Sequence, residues 1–227
     1  MTRPKALLFD FDGVLIESEF AGNRHIAEVL TAAGHPTTAA DSMAHFMGLS
    51  GRQFTDAIER WVGGPLPAGF AEARAIEDAR VLAEGVEAVA GAVAFVRSLP
   101  ADLPKAIVSS STTHWIRTHL DHIGLGDVFG EHVYSGKEHV ANGKPAPDLY
   151  WYGAERLGVA IEDCVILEDS PVGVRGAVAS GARVIGLCAG SHCAVGHDAR
   201  LRELGVSEIA HGFDAVAELI GGAPGEA

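Results

Sequence analysis

The stretch "KALLFDFDGVLIESE", residues 5–19, decides how the rest of the chain is read. Its apolar run "ALLF" has the look of a buried strand, yet it ends on two acids, Asp10 and Asp12, with Phe11 between them and Gly13, Val14 and Leu15 after them. Carboxylates beside a core strand are costly to desolvate unless something compensates their charge. "DG" is also an ordinary turn signal. The remaining sequence has to choose between a turn and a site.

Beyond residue 18 the pattern changes. Residues 18–84 read as helical, broken at "AGHPTT" and "GGPLPAG", with no convincing strand. "GVEAVAGAVAFVRSLP" (85–100) reads as one further helix. From there strand and helix alternate: "KAIVSS", "TTHWIRTHLDHIG", "EHVYS", "APDLYWYGAERLG", "DCVILED", "SPVGVRGAVASG", "ARVIGLC". Continuous apolar strands alternating with helices predict a parallel sheet covered on both faces. The first strand belongs to that sheet. The expected architecture is therefore α/β: a Rossmann-like core made of 1–17 and 85–227, carrying an α-helical cap, 18–84, inserted after the first strand.

Composition narrows the function. The 227 residues carry a formal charge of −13, which disfavours nucleic acid as a partner. A small anionic ligand remains compatible, because one pocket can be positive on an acidic protein. No segment has the roughly 20 apolar residues of a membrane span. The N-terminus does not read as a signal peptide. Cys164, Cys188 and Cys193 form no CxxC pair, so reduced thiols in a cytoplasmic protein are expected. Oligomeric state is not legible.

Open parallel sheets bind ligands beyond the carboxyl ends of their strands. Four polar segments fall there: "DFDG", "SSS" (109–111), "GKPAPD" (143–148) and "EDS" (168–170). Asp10, Asp12, Glu168 and Asp169 would converge on one edge. Two charges about 4 Å apart repel by roughly 4 kcal/mol at an effective dielectric near 20. Such a group calls for a cation or for bound protons, and an all-oxygen donor set suits Mg2+. Ser170-Pro171 doubles as a helix start. Lys144, stiffened by the prolines after it, and the hydroxyls of Ser109, Ser110 and Ser111 complete equipment able to hold a phosphoryl group.

"DFDGVL", "VSS", "GKPAPD" and "LEDSPVG", in this order, resemble the four motifs of the haloacid dehalogenase-like hydrolase superfamily. The gap between the first two matches its helical-cap subgroup, and the likeness is to the β-phosphoglucomutase/phosphatase-like branch. The resemblance implies roles for individual residues. Asp10 would be the nucleophile forming an aspartyl-phosphate, and Asp12 the general acid and base. Mg2+ would be held by Asp10, the Asp12 carbonyl and Asp169, with Glu168 as ligand or supporting partner. Ser109 and the backbone around Ser110 would bind the phosphoryl group, Lys144 would balance charge, and Gly13 would permit the turn. In the cap, "HFMGLSGRQF" offers Arg52 as a residue that grips the far end of the substrate.

The resemblance leaves rival activities. Dehalogenation needs neither Asp12 nor Asp169. Phosphonate cleavage needs a cap lysine, and 18–84 has none. A phosphosugar mutase would use a cap histidine where Gly22 stands, with His25 a turn later. Hydrolysis of a small sugar or sugar-acid phosphate is thus expected ahead of isomerisation, and a non-catalytic phosphometabolite-binding homologue comes last. His192, Cys193 and His197 match no zinc spacing and are assigned no metal.

Overall fold

Ala6, Leu7, Leu8 and Phe9 are fully buried because the strand they form, β1 (Ala6–Phe9), is covered on both faces. The computed structural model describes residues 3–49 and 51–221. After β1 come four helices, α1 (Ser18–Ala32), α2 (Ala39–Phe46), α3 (Gly51–Val62) and α4 (Phe70–Glu84). There follow α5 (Ala92–Ser98), β2 (Lys105–Ser109), α6 (Thr113–His122), β3 (Val133–Ser135) and α7 (Asp148–Leu157). The remainder is β4 (Cys164–Glu168), α8 (Pro171–Ser180), β5 (Arg183–Leu187), α9 (His197–Glu203), β6 (Glu208–Ala210) and α10 (Phe213–Leu219).

The strands form one sheet, all pairs parallel, in the order β3-β2-β1-β4-β5-β6. Side chains alternate across it with the period of two that a strand imposes. Leu7 and Phe9 face a cluster that includes Phe95, Ile116, Leu120 and Phe213, from α5, α6 and α10. Ala6 and Leu8 face Leu149, Tyr150, Val174, Ala177 and Leu201, from α7, α8 and α9. Strand β1 lies at the switch point of the topology, where the chain fills one side of the sheet through β2 and β3 and then crosses to β4. The crevice at the carboxyl ends beside it is where such sheets hold ligands.

Helices α1–α4 pack around a small core of their own, Ile26, Leu30, Phe46, Ala57, Ile58 and Phe70. This is the inserted helical cap. Its two connections to the sheet run side by side. The Glu17 N–H donates to the Glu87 carbonyl at 2.9 Å, the Val89 N–H to the Leu15 carbonyl at 3.0 Å, and Ile16 bridges Ala88. Here the structure departs from sequence expectation, since the single helix over 85–100 is only Ala92–Ser98. Gly85 and Gly91, at φ 83° and 82°, turn the chain so that the backbone between them pairs with the outgoing crossing instead of continuing a helix. The last strand, β6, was also unforeseen; three residues are too short for a periodicity to show. None of the described helices is long and apolar enough to cross a membrane.

Helix α8 packs on the loop that carries Lys144. A Cβ at Gly176 would lie 2.8 Å from the Ala146 carbonyl oxygen and 3.1 Å from the Tyr150 ring. Gly176→Ala therefore pits a helix-propensity gain of about 1 kcal/mol against overpacking on rigid backbone, worth about 1–3 kcal/mol. The expected outcome is a lower urea midpoint together with reduced turnover. A raised midpoint with unchanged turnover would show that this contact does not set the loop.

Candidate active site

Backbone pairing carries past the end of β1: the Asp10 N–H donates to the Leu167 carbonyl at 3.0 Å, which fixes Asp10 at the sheet's carboxyl edge. Gly13, at φ 81°, closes the turn with its N–H on the Ile16 carbonyl at 2.9 Å. A Cβ there would meet Asp169 Oδ2 at 2.2 Å, so glycine is required for space as well as for its dihedral.

Lys144 is the hub. Its side chain is only 3% exposed, and its Nζ donates at 2.6 Å to both Asp10 Oδ1 and Glu168 Oε1. Burial works against the ammonium charge, but Asp10 and Glu168 outweigh it and hold the Lys144 pKa above its ordinary value. Burial and the charge of Glu168 push Asp10 well up, with Lys144 opposing, and push Asp169 up in the same way.

The two neighbouring acids of β4 have different surroundings. Glu168 is saturated: Oε1 accepts from Lys144 and the Tyr150 hydroxyl, Oε2 from the Asp169 and Ser170 N–H groups and the Ser170 hydroxyl. Asp169 is fully buried; its Oδ1 has no hydrogen-bond partner, and its Oδ2 lies 2.7 Å from the His192 Nε2. Asp10, Glu168 and Asp169 each bring a carboxylate oxygen within 4.8 Å of the others. An all-oxygen cluster with an unsatisfied buried oxygen fits a hard divalent cation. Asp169 is the acid with free ligating capacity, whereas Glu168 is committed to orienting Lys144.

Asp12 is held by donors from three segments: Ser18 Oγ at 2.7 Å, Ser111 Oγ at 2.6 Å, Trp115 Nε1 at 3.1 Å and Ser109 Oγ at 3.5 Å. A hydroxyl can turn to donate or accept, so the serines suit either protonation state of this acid. Ser109 is buried at the end of β2 and accepts the Ser111 N–H at 3.0 Å, and Ser110 lines the cleft.

Above these residues lies a cleft of about 530 Å³ between sheet and cap. The structure does not bring Arg52 to it. That side chain is 88% exposed and pairs with Asp56 at 2.9 Å, one turn along α3. Besides Lys144, the cations lining the cleft among the described residues are Arg74 of α4 and Lys137 after β3. Ser18, Trp115, Tyr150, Arg74 and Glu19 escaped the sequence reading. Trp115 had a usable signal: it falls in the first turn of a helix capped by Thr112, directly after the "SSS" of a strand end. Gly22 lines the cleft, while His25 points its ring at the Ala73 carbonyl, 3.3 Å away; no histidine lines the cleft among the described residues.

Burial, then the charges of Asp169 and Asp12, push Glu19 up from 4.5 to about 8. The fold thus favours the protonated acid. Its contribution to stability is complete below pH 4.5 and is lost as pH rises through about 8. In chelator, the melting temperature is expected to fall across that window, and Glu19→Gln to flatten the fall. Equal slopes for both proteins would contradict this.

Comparison with known proteins places the chain in a family. A family model described as haloacid dehalogenase-like hydrolase matches residues 4–181. The chain is 34% identical over 194 residues to hexitol phosphatase A of Escherichia coli, covering 81% of this chain and 82% of that one. It is 26% identical over 193 residues to the 6-phosphogluconate phosphatase of the same organism, covering 85% and 86%. A crystal structure of a haloacid dehalogenase family hydrolase from Deinococcus radiodurans, with bound phosphate and sodium, superposes with a TM-score of 0.80. It is 30% identical, with 97% of this chain and 98% of that one covered. With its parallel sheet and inserted helical cap, the chain thus belongs to the haloacid dehalogenase-like hydrolases.

Proposed function

We propose that the chain is a Mg2+-dependent phosphatase that hydrolyses a small phosphorylated sugar, sugar alcohol or sugar acid through a phosphoaspartate at Asp10. The observation that carries this reading is the Asp10 carboxylate at the floor of the cleft, clamped by a buried Lys144 at 2.6 Å and flanked by Asp12, Ser109 and Asp169. Asp10, Asp169 and the Asp12 carbonyl would hold the metal. Bound there, Mg2+ would neutralise the converging carboxylates and stabilise charge on the phosphoryl oxygens.

An Asp10 oxygen attacks phosphorus as the bond to the substrate oxygen breaks, and Asp12 gives that oxygen its proton. Asp12 then takes a proton from water as the water oxygen attacks phosphorus, releasing inorganic phosphate and restoring the Asp10 carboxylate. Ser109, Ser110 and Lys144 hold the phosphoryl oxygens during both displacements. Residues 18–84 act as the cap that closes the cleft and excludes bulk water. Their polar lining of Glu19, Asn23, Arg74, Glu77 and Asp78 suits a polyhydroxylated substrate. The relatives' names, hexitol and 6-phosphogluconate phosphatase, support that class. Among the described residues the cleft offers no histidine to move the second proton of a mutase, which favours hydrolysis. Three free cysteines accord with a cytoplasmic setting.

A panel of hexitol phosphates, 6-phosphogluconate and β-glucose 1-phosphate, assayed for released phosphate and for isomerisation, tests the reading. Asp10→Asn is expected to lose at least about a thousandfold in turnover. Chelation should abolish turnover and Mg2+ restore it. Dominant isomerisation, or an active Asp10→Asn, would refute the assignment. For specificity, Arg74→Ala should raise KM on the preferred sugar phosphate several-fold while leaving p-nitrophenyl phosphate little changed. Arg52→Ala should leave both unchanged.

A further inference from the structure

The loop between β5 and α9 winds tightly. The Cys193 N–H donates to the Gly190 carbonyl at 3.0 Å, the Ala194 N–H to His192 at 2.9 Å, and the His197 N–H to Ala194 at 3.0 Å. These turns gather His192, Cys193 and His197, whose potential ligand atoms all lie within 4.8 Å of one another. The sequence puts the three close together but at no zinc spacing, because the grouping arises from loop turns rather than from a regular element.

The cluster sits directly behind the acidic site. His192 Nε2 lies 3.4 Å from Cys193 Sγ and 2.7 Å from Asp169 Oδ2, the latter without the alignment of a hydrogen bond. His197 Nε2 lies 2.6 Å from the Asp169 carbonyl oxygen. The His192 ring is fully buried and fixed between glycines: a Cβ would stand 2.9 Å from its Cε1 at Gly13 and 2.5 Å at Gly190. Even so, its Nδ1 and the Asp169 Oδ1 have no hydrogen-bond partner. Rigid, buried polar groups left unsatisfied point to a ligand.

We propose that His192, Cys193 and His197 form a second metal site, for a borderline-soft divalent cation of the Zn2+ class, with Asp169 as its fourth ligand. One thiolate, two imidazoles and one carboxylate make a four-coordinate set of the kind Zn2+ takes, and a hard Mg2+ would not select the thiolate. On binding, the Cys193 thiol releases its proton to solvent. Asp169 is then shared between two sites. Filling the soft site withdraws a carboxylate from the acidic one, so the ion inhibits hydrolysis and each metal weakens the other's binding by the same factor.

Co2+ titrated into the full chain in a non-thiol reductant provides a test independent of activity. A thiolate-to-cobalt charge-transfer band is expected in wild type, absent in Cys193→Ser and retained in Cys188→Ser. Phosphate release from p-nitrophenyl phosphate at fixed Mg2+ then reads the coupling. Cys193→Ser should keep its basal rate and need at least about tenfold more Zn2+ for half-inhibition. No band in wild type, or one that survives Cys193→Ser, overturns the site. A band lost in the variant with Zn2+ inhibition unchanged overturns the sharing of Asp169.

Discussion

One buried ammonium organises this molecule. Lys144 stands between Asp10 and Glu168, and all three side chains are withdrawn from water. Removing one member of a buried ionic group typically costs about 3–5 kcal/mol, because the partners stay charged and desolvated. The surrounding architecture keeps the group intact. Two prolines hold the loop, α8 presses on it through Gly176, and Tyr150 shares Glu168 with the lysine. Glu168 thereby works as the support that aims Lys144 at Asp10. Asp169 alone of this set has a buried carboxylate oxygen, Oδ1, with no partner among the described residues.

The division between Glu168 and Asp169 could not be read from "EDS". Adjacent residues of a strand point to opposite sides, but which of them meets Lys144 depends on a loop folded onto that edge from residues 143–148. By contrast, Asp10 and Asp12 were legible. An apolar run covered on both faces delivers whatever follows it to the sheet edge, and four such edges in order named one site. The cap was legible as helix, from its long polar-apolar mixture without strands. What its residues face was not, because two cap arginines, each paired with an aspartate one turn along its helix, end up differently. Arg52 lies along the outer face of α3 beside Asp56, while Arg74 looks into the cleft. The helix expected over 85–100 failed for a tertiary reason: the return crossing spends its backbone hydrogen bonds on the outgoing one.

The paired crossings also bear on motion. Ile16 with Ala88, and Glu17 with Glu87, tie the two chain connections between cap and sheet into one short ribbon, and a His122 Nε2 contact to the Leu82 carbonyl at 3.1 Å adds a link between α6 and α4. Asp12 sits at its base, tethered by Ser18 of the cap side and by Ser111 and Trp115 of the core. A movement of the cap therefore reaches Asp12 through Ser18, which under the proposed mechanism couples closure to the group that protonates the leaving oxygen. Loops rather than strands carry the remaining chemistry, as the His192–Cys193–His197 turn illustrates.

The central claim is that Asp10 becomes covalently phosphorylated during turnover. Borohydride added during steady-state hydrolysis with Mg2+ reduces an acyl phosphate to an alcohol, and peptide mass spectrometry locates the product. The account predicts homoserine at position 10, dependent on substrate. Rapid phosphate release with residue 10 unmodified, or reduction at another carboxylate, would contradict it.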